Sequence, residues 1–359
     1  MTFAIQARRP HRDAIAQAGD RRAVQIWLAV VAALVFAMIA VGGATRLTDS
    51  GLSITEWKPL LGAIPPLSEA DWQDVFAKYK TIPQYASVNK GMTLDAFKAI
   101  FWWEWGHRFL GRFVAVVFAV PFAAFWIAGR LQLGLVPKLA GVLGLGALQG
   151  AAGWYMVSSG LAERIDVSQY RLALHLSIAF LILGALVWLI LDLAPKRAEP
   201  RLKTLTARDK TWASVLAVLV FSQVVIGGFV AGLKAGRAFN TWPLMDGKLI
   251  PDGFSRLEPW WLNLTENMAT VQFNHRMAAY GIVALALWHA VRVIGRADDE
   301  RVRTSAGLLA AGLVAQMGLG IWTVLMAVPI NLGIAHQGFA AVVFMLAVAH
   351  AHGMRAEGK

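Results

Sequence analysis

The stretch that decides the fold is EWGHRFLGRFVAVVFAV, residues 104–120, because it places a histidine at the start of a long apolar run. Three more stretches repeat the arrangement: YRLALHLSIAFLILGALVW (170–188), VQFNHRMAAYGIVALALW (271–288) and NLGIAHQGFAAVVFMLAV (331–348). His107, His175, His275 and His336 therefore stand near the starts of four apolar segments. Eight such segments can be read, at roughly 24–44, 100–128, 137–157, 170–193, 212–233, 268–294, 304–327 and 332–352. Each is near the ~20 residues that cross the hydrocarbon of a bilayer as a helix. The histidine-bearing runs are the second, fourth, sixth and eighth. Alternate spans enter from the same side, so the four histidines share a depth in one leaflet. An imidazole in lipid is ordinarily a ligand or a proton relay.

Composition sets the class. The chain is 57% hydrophobic and 16% charged, too little charge for a soluble chain of 359 residues. Lipid obliges each span to satisfy its own backbone hydrogen bonds, so the expectation is an all-α integral membrane protein with eight transmembrane helices. The formal net charge of +12 is explained by placement. Arg8, Arg9, Arg12, Arg21 and Arg22 precede the first span, and Arg130 and Lys138 flank the link between the second and third. Lys196, Arg197, Arg201, Lys203, Arg208 and Lys210 fill the link between the fourth and fifth, and Arg292, Arg296, Arg301 and Arg303 surround the link between the sixth and seventh. All fall on one side, which the positive-inside rule assigns to the cytoplasm together with both termini. The loop 45–98 is charge-balanced and lies outside. The basic bias is thus topological, with attraction to anionic lipid as a by-product, and no nucleic-acid partner is expected. There are no cysteines, which excludes disulfides, thiolate-bound metals and covalently attached c-type haem. The first apolar run reads as an uncleaved helix, and Asp13 and Asp20 weigh against a mitochondrial presequence.

The chain is duplicated. Span one ends VGGATRLTDSGLSITEW and span five ends IGGFVAGLKAGRAFNTW. Gly42-Gly43, Gly51 and Trp57 match Gly227-Gly228, Gly236 and Trp242 at an offset of 185. EWGHR at His107 matches QFNHR at His275, Gln149 and Gly153 match Gln316 and Gly320, and LALH at His175 matches GIAH at His336. An even number of spans per half gives both halves the same orientation, so they are parallel repeats about an axis along the membrane normal. The expected organisation is a cytoplasmic arm 1–23, a four-helix bundle 24–193, a cytoplasmic linker 194–211, a second four-helix bundle 212–352 and a cytoplasmic tail 353–359.

In each bundle two histidines face one another from its second and fourth helices. Paired neutral imidazoles suit the axial positions of a haem iron. Zinc or copper would want three or four clustered ligands. Arg108 and Arg276 each follow a histidine and are candidates for haem propionates, the plain alternative being side chains that snorkel to the interface. Trp102, Trp103, Trp105, Trp260 and Trp261 read as an interfacial belt. Glu104 lies three residues before His107 on nearly the same helix face, and the matching residue in the second half is Gln272, which cannot titrate. The first site therefore reads as the reacting one and the second as an electron-handling one. The bland alternative for Glu104 is an interfacial carboxylate in water or paired with Arg108. His289 and His350 trail His275 and His336 by 14 residues, about 21 Å along a helix. They are read as residues at the inner ends of their spans, with a third haem as the alternative. His352 reads as interfacial and His11 as solvated.

These strings together resemble the haem A synthase family of cytochrome oxidase assembly. The resemblance runs from about residue 24 to 352. It rests on GGATRLTDSGLSITEWKP at 42–59, EWGHR at 104–108, GWYMVSSGL with VSQYRLALHL to residue 176, QFNHR at 272–276 and IAHQ at 334–337. The resemblance implies eight transmembrane helices in two similar halves and oxidation of a ring methyl of haem O to a formyl group, giving haem A. It implies substrate haem between His107 and His175, a permanent haem b between His275 and His336, and an important Glu at Glu104. One group in the family carries a cysteine pair in the first outer loop. This chain has none, so a thiol-dependent step cannot operate here.

The expected mechanism is stepwise removal of electrons from the methyl and capture of water, with Glu104 taking the proton, through a hydroxymethyl and a gem-diol. Haem O synthase and an electron acceptor are expected partners alongside the lipid bilayer, and a homo-oligomer is compatible with the chain. The expected location is the bacterial inner membrane. The alternative function is a b-type di-haem electron-transfer protein of the quinol oxidoreductase kind. A transporter fits less well, because the repeats are parallel and the polar positions gather on one side.

Overall fold

The structure is a computed structural model describing residues 9–59, 61–162, 164–195 and 205–355, with side chains from Gly19 onward. Several residues named above lie outside that description. They are Arg8 of the N-terminal arm, the side chains of Arg9, His11, Arg12 and Asp13, the linker residues Lys196, Arg197, Arg201 and Lys203, and the tail from 356.

Apart from one isolated bridge between Met245 and Lys248, the regular structure of the described residues is helical. The helices are α1 (Arg9–Leu47), α2 (Glu69–Tyr79), α3 (Pro83–Ser87), α4 (Leu94–Ile127), α5 (Val136–Ser158), α6 (Gln169–Asp192), α7 (Ala207–Gly232), α8 (Ala235–Ala238), α9 (Met268–Arg296), α10 (Glu300–Leu325) and α11 (Ile330–Gly353). Among the described residues seven helices are long and apolar enough to cross a membrane: α1, α4, α6, α7, α9, α10 and α11. The chain is a multi-pass membrane protein. The remaining long helix, α5, has 23 residues, but its five glycines, Lys138 and Gln149 dilute its apolar character.

The long helices pack in two sets. α1 lies against α4 and α6, with α5 on α6; α7 lies against α9 and α11, with α10 on both. Between the sets α6 packs on α7, α11 packs on α1, and α6 meets α11. That central seam is dense: Phe180, Leu183 and Leu186 of α6 and Phe344 and Ala347 of α11 are almost wholly buried. Gly184 admits the edge of Phe344, since a β-carbon there would lie 3.0 Å from the Phe344 Cε1. Inside a bilayer such close packing, with hydrogen bonds like that from Trp27 Nε1 to the Val117 carbonyl (2.8 Å), holds helices together.

The first long loop has structure of its own. Ser68 caps α2 reciprocally with Asp71, each side chain taking the other's backbone N–H. Trp72, Phe76 and Tyr79 then pack on Phe97 and Phe101, which belong to the first turns of α4. Hydropathy placed that span at about residue 100. α4 starts earlier, at Leu94, because this aromatic cluster supports extra turns outside the apolar run.

Candidate functional site

Each of the four histidines lies across a glycine of the preceding long helix. A β-carbon at Gly42 of α1 would lie 2.9 Å from Cε1 of His107 on α4. The same holds for Gly153 of α5 and His175 of α6 (2.9 Å), for Gly227 of α7 and His275 of α9 (3.3 Å), and for Gly320 of α10 and His336 of α11 (2.8 Å). At Gly42, Gly153 and Gly320 only a residue without a side chain lets the ring edge rest so near the neighbouring backbone, while at Gly227 the fit is looser. The glycines sit late in their helices and the histidines early in theirs, so all four rings gather at one end of the protein. His107 lies within electrostatic reach of His175, and His275 of His336. The second glycine of each Gly-Gly pair faces the other half. Gly43 meets Gln337 of α11, whose Nε2 donates to the Ile39 carbonyl (2.7 Å), and Gly228 meets the backbone of Ala173 on α6.

The two histidine pairs are held differently. Gln223 Nε2 donates to the His275 carbonyl (2.8 Å) and lies 3.1 Å from its Nδ1. Gln316 does the same for His336, at 3.0 and 3.2 Å. In the first pair Gln149 Nε2 approaches the other nitrogen of His175, Nε2, at 3.2 Å. The Nδ1 of His107 is buried without a partner. The repeat position of Gln223 is Met38, so comparing the halves could not flag that glutamine.

A cavity of about 280 Å³ opens between His275 and His336. Its walls include Gln223, Gln316, Gly227, Gly320, Val220, Val283 and Leu313, with Leu176 and Phe180 from α6, the helix of His175. Four cationic residues also line it: Arg46, Lys234, Arg237 and Arg276. Sequence reading named only Arg276. Arg46 stands in the motif after Gly42-Gly43, but its repeat partner is Ala231, which hid it. Lys234 also bridges Asp49 (3.3 Å) and Asp166 (2.9 Å).

Glu104 is buried, 2% exposed, and turned toward the first long loop. Its Oε2 accepts from Ser53 Oγ and from the Ile54 N–H, both at 2.7 Å, and its Oε1 accepts from Arg108 Nη2 at 2.5 Å. Arg108 also donates to the carbonyls of Ile54 (2.7 Å) and Glu56 (3.1 Å). In the second half Gln272 donates to the Phe239 carbonyl (2.8 Å), and Arg276 donates to those of Phe239 and Thr241. Both arginines thus tie loops to the histidine helices. Outside the membrane segments, hydrogen bonds from Lys58 and then Lys78 hold the Glu56 carboxyl below its ordinary range.

His289 and His350 are fully buried and bonded to each other, Nε2 to Nε2, at 3.0 Å, with Ser305 Oγ 2.8 Å from His350 Nδ1. Metal–imidazole bonds are about 2 Å each, so this spacing leaves no place for an iron between the rings. His352 bonds Asp192 (3.0 Å) and ties α11 to α6. Trp102, Trp103, Trp260 and Trp261 are exposed, as a belt requires, whereas Trp105 is half-buried with its Nε1 enclosed. Among the described residues no group of three or more His, Cys, Asp or Glu gathers that could hold a metal ion.

The sequence from 25 to 348 matches the model of the COX15-CtaA family, described as cytochrome oxidase assembly protein. The chain belongs to this family. It is 54% identical over 331 residues to a protein named heme A synthase from Chelativorans sp. (strain BNC1), covering 92% of this chain and 91% of that one. A heme A synthase of Parvibaculum lavamentivorans is 52% identical over 93% of this chain and 94% of its own. One of Mesorhizobium japonicum is 49% identical over 98% and 96%. The match to the cytochrome oxidase assembly family takes in all four glycine-seated histidines and both Gly-Gly pairs.

Proposed function

We infer that this chain acts as a haem A synthase, an oxidoreductase that converts haem O to haem A. The observation that carries the reading is the fourfold seating of imidazoles on glycines, within a chain whose relatives bear that name along nine-tenths of its length. We propose that α5 is the eighth span and that two parallel-repeat four-helix bundles, 24–193 and 212–352, are joined by the linker 194–211. The mirrored packing of α1 with α4 and α6, and of α7 with α9 and α11, supports this. The relatives are bacterial, which supports the bacterial inner membrane, and the charge bias supports cytoplasmic termini.

The second pair fits a resident haem b. His275 and His336 face an apolar cavity, and Arg46, Arg237 and Arg276 stand ready for carboxylates. Gln223 and Gln316, each reaching the carbonyl and the Nδ1 of its histidine, would hold the two rings in place beneath such a group. Haem b supplies one-electron transfer there. The Nδ1 atoms of His107 and His175 have no such partner, and Gln149 reaches His175 only at Nε2, which suits a site whose occupant must arrive and leave.

At the first site two of the three hydrogens of the substrate methyl give way to a carbonyl oxygen taken from water, through a hydroxymethyl stage, each of the two oxidations releasing two protons and two electrons. Protons and electrons leave, so an electron acceptor is required. Glu104, one turn from His107, accepts a proton, and Arg108 orients its carboxylate and balances its charge. Gln272 at the matching place fills the structural part of the role without acid–base chemistry.

Purified protein supplied with haem O tests the reading by pigment extraction. Haem b together with a hydroxylated intermediate or haem A is expected; haem b alone would favour an electron carrier. Glu104→Gln should retain haem while product formation stalls. Full activity in that variant would remove the acid–base role.

A further inference from the structure

The two bundles differ on one wall. α9 and α10 pack along most of their length, whereas their first-half counterparts, α4 and α5, touch far less. Aligning Gln149 with Gln316 and Gly153 with Gly320 shows what fills the difference. Leu313 and Met317 line the second cavity, and the residues matching them are Gly146 and Gly150. On the α5 wheel these two lie about 20° and 60° from Gly153, the seat of His175. They therefore share the face that meets the histidine. A β-carbon at either would meet nothing within 4 Å, and both are exposed. On this same face the Gln149 Oε1 and, on the ring seated at Gly153, the His175 Nδ1 are buried without hydrogen-bond partners.

We propose that the gap between α4 and α5 is a side door to the bilayer. Through it the first site admits its porphyrin, and in it the prenyl chain of that substrate lies along Gly146 and Gly150. The inference rests on the reading that His107 and His175 hold the substrate. A prenylated porphyrin is apolar along its tail and partitions into lipid, so sideways entry avoids dragging the chain through water. Leu313 and Met317 close the same wall around an occupant that stays. The glycines leave it open for one that exchanges.

The test copies the second half into the first. Gly146→Leu/Gly150→Met is made in the full-length protein, with Gly150→Met alone as a milder form. Gly144→Leu is the control: it also faces open space but lies on the opposite side of α5 from Gly153. Resident haem b content, affinity for haem O and affinity of the first site for protohaem, which lacks the prenyl chain, are measured by optical titration. The double variant should keep its haem b and bind protohaem as before, yet bind haem O about tenfold more weakly, within the range that overpacking costs an occupied site. The control should match wild type. Unchanged haem O affinity, or an equal loss for both porphyrins, would overturn the proposal. If the double variant loses haem b, the single variant decides by the same criteria. Failure of wild-type protein to take up haem O would instead sink the assignment of the first site, so the two failures are separable.

Discussion

Arg108 and Arg276 grip the same piece of backbone in two copies. Arg108 holds the carbonyls of Ile54 and Glu56, and Arg276 holds those of Phe239 and Thr241, each 185 residues further on. That is the offset relating Trp57 to Trp242. The offset between the two halves of the sequence is therefore kept in the loops beside the histidines. Each arginine follows its histidine directly, so loop and ring are fixed to one turn of helix.

Arg108→Gln and Arg276→Gln should each loosen only their own loop. Hydrogen bonds to a charged group are worth about 1.5–3 kcal/mol. Amide exchange at 54–57 should rise about tenfold or more in the first variant, and at 239–242 in the second. A loss of protection spread over both loops would contradict two local clamps.

The glycine seats make a ranked prediction. Gly320→Ala puts a methyl 2.8 Å from the His336 ring, closer than Gly227→Ala puts one to His275, at 3.3 Å. The first should displace its ring and lower haem b retention strongly, and the second mildly. Gly42→Ala and Gly153→Ala, at 2.9 Å, should spare haem b and impair the first site. Haem content per protein, measured by pyridine haemochrome, gives the order.

His289 and His350 satisfy one another in the core. His350→Leu strands a buried imidazole and should lower stability by ~1–3 kcal/mol, while the His289→Leu/His350→Leu pair should recover part of the loss. Haem content should stay at the wild-type level in both. A fall in haem stoichiometry would mean that these rings serve a cofactor.

Much of the site was legible because its parts are of types that lipid penalises. A histidine in an apolar run is costly, so His107, His175, His275 and His336 stand out, and repetition points to Gly42 and Gly227. What stayed hidden depends on contacts that hydropathy does not encode. Hydropathy placed His289 and His350 at the inner ends of their spans, but the fold bonds them to each other and α10 brings Ser305 against His350. Glu104 was marked by its contrast with Gln272, whereas its socket of Ser53, Ile54 and Arg108 comes from the fold of a loop. α2 and α3 were invisible to a search for spans, although the Ser68–Asp71 cap is written plainly in SEAD at 68–71.

The most direct test of two unequal haem sites is the pigment of four single variants, each replacing one histidine with alanine, purified after growth with ample haem supply. Loss of haem b in the His275 and His336 variants, and its full retention with no haem O or haem A in the His107 and His175 variants, is the predicted result. Loss of the same pigment from all four, or wild-type pigment in any one, would contradict the account.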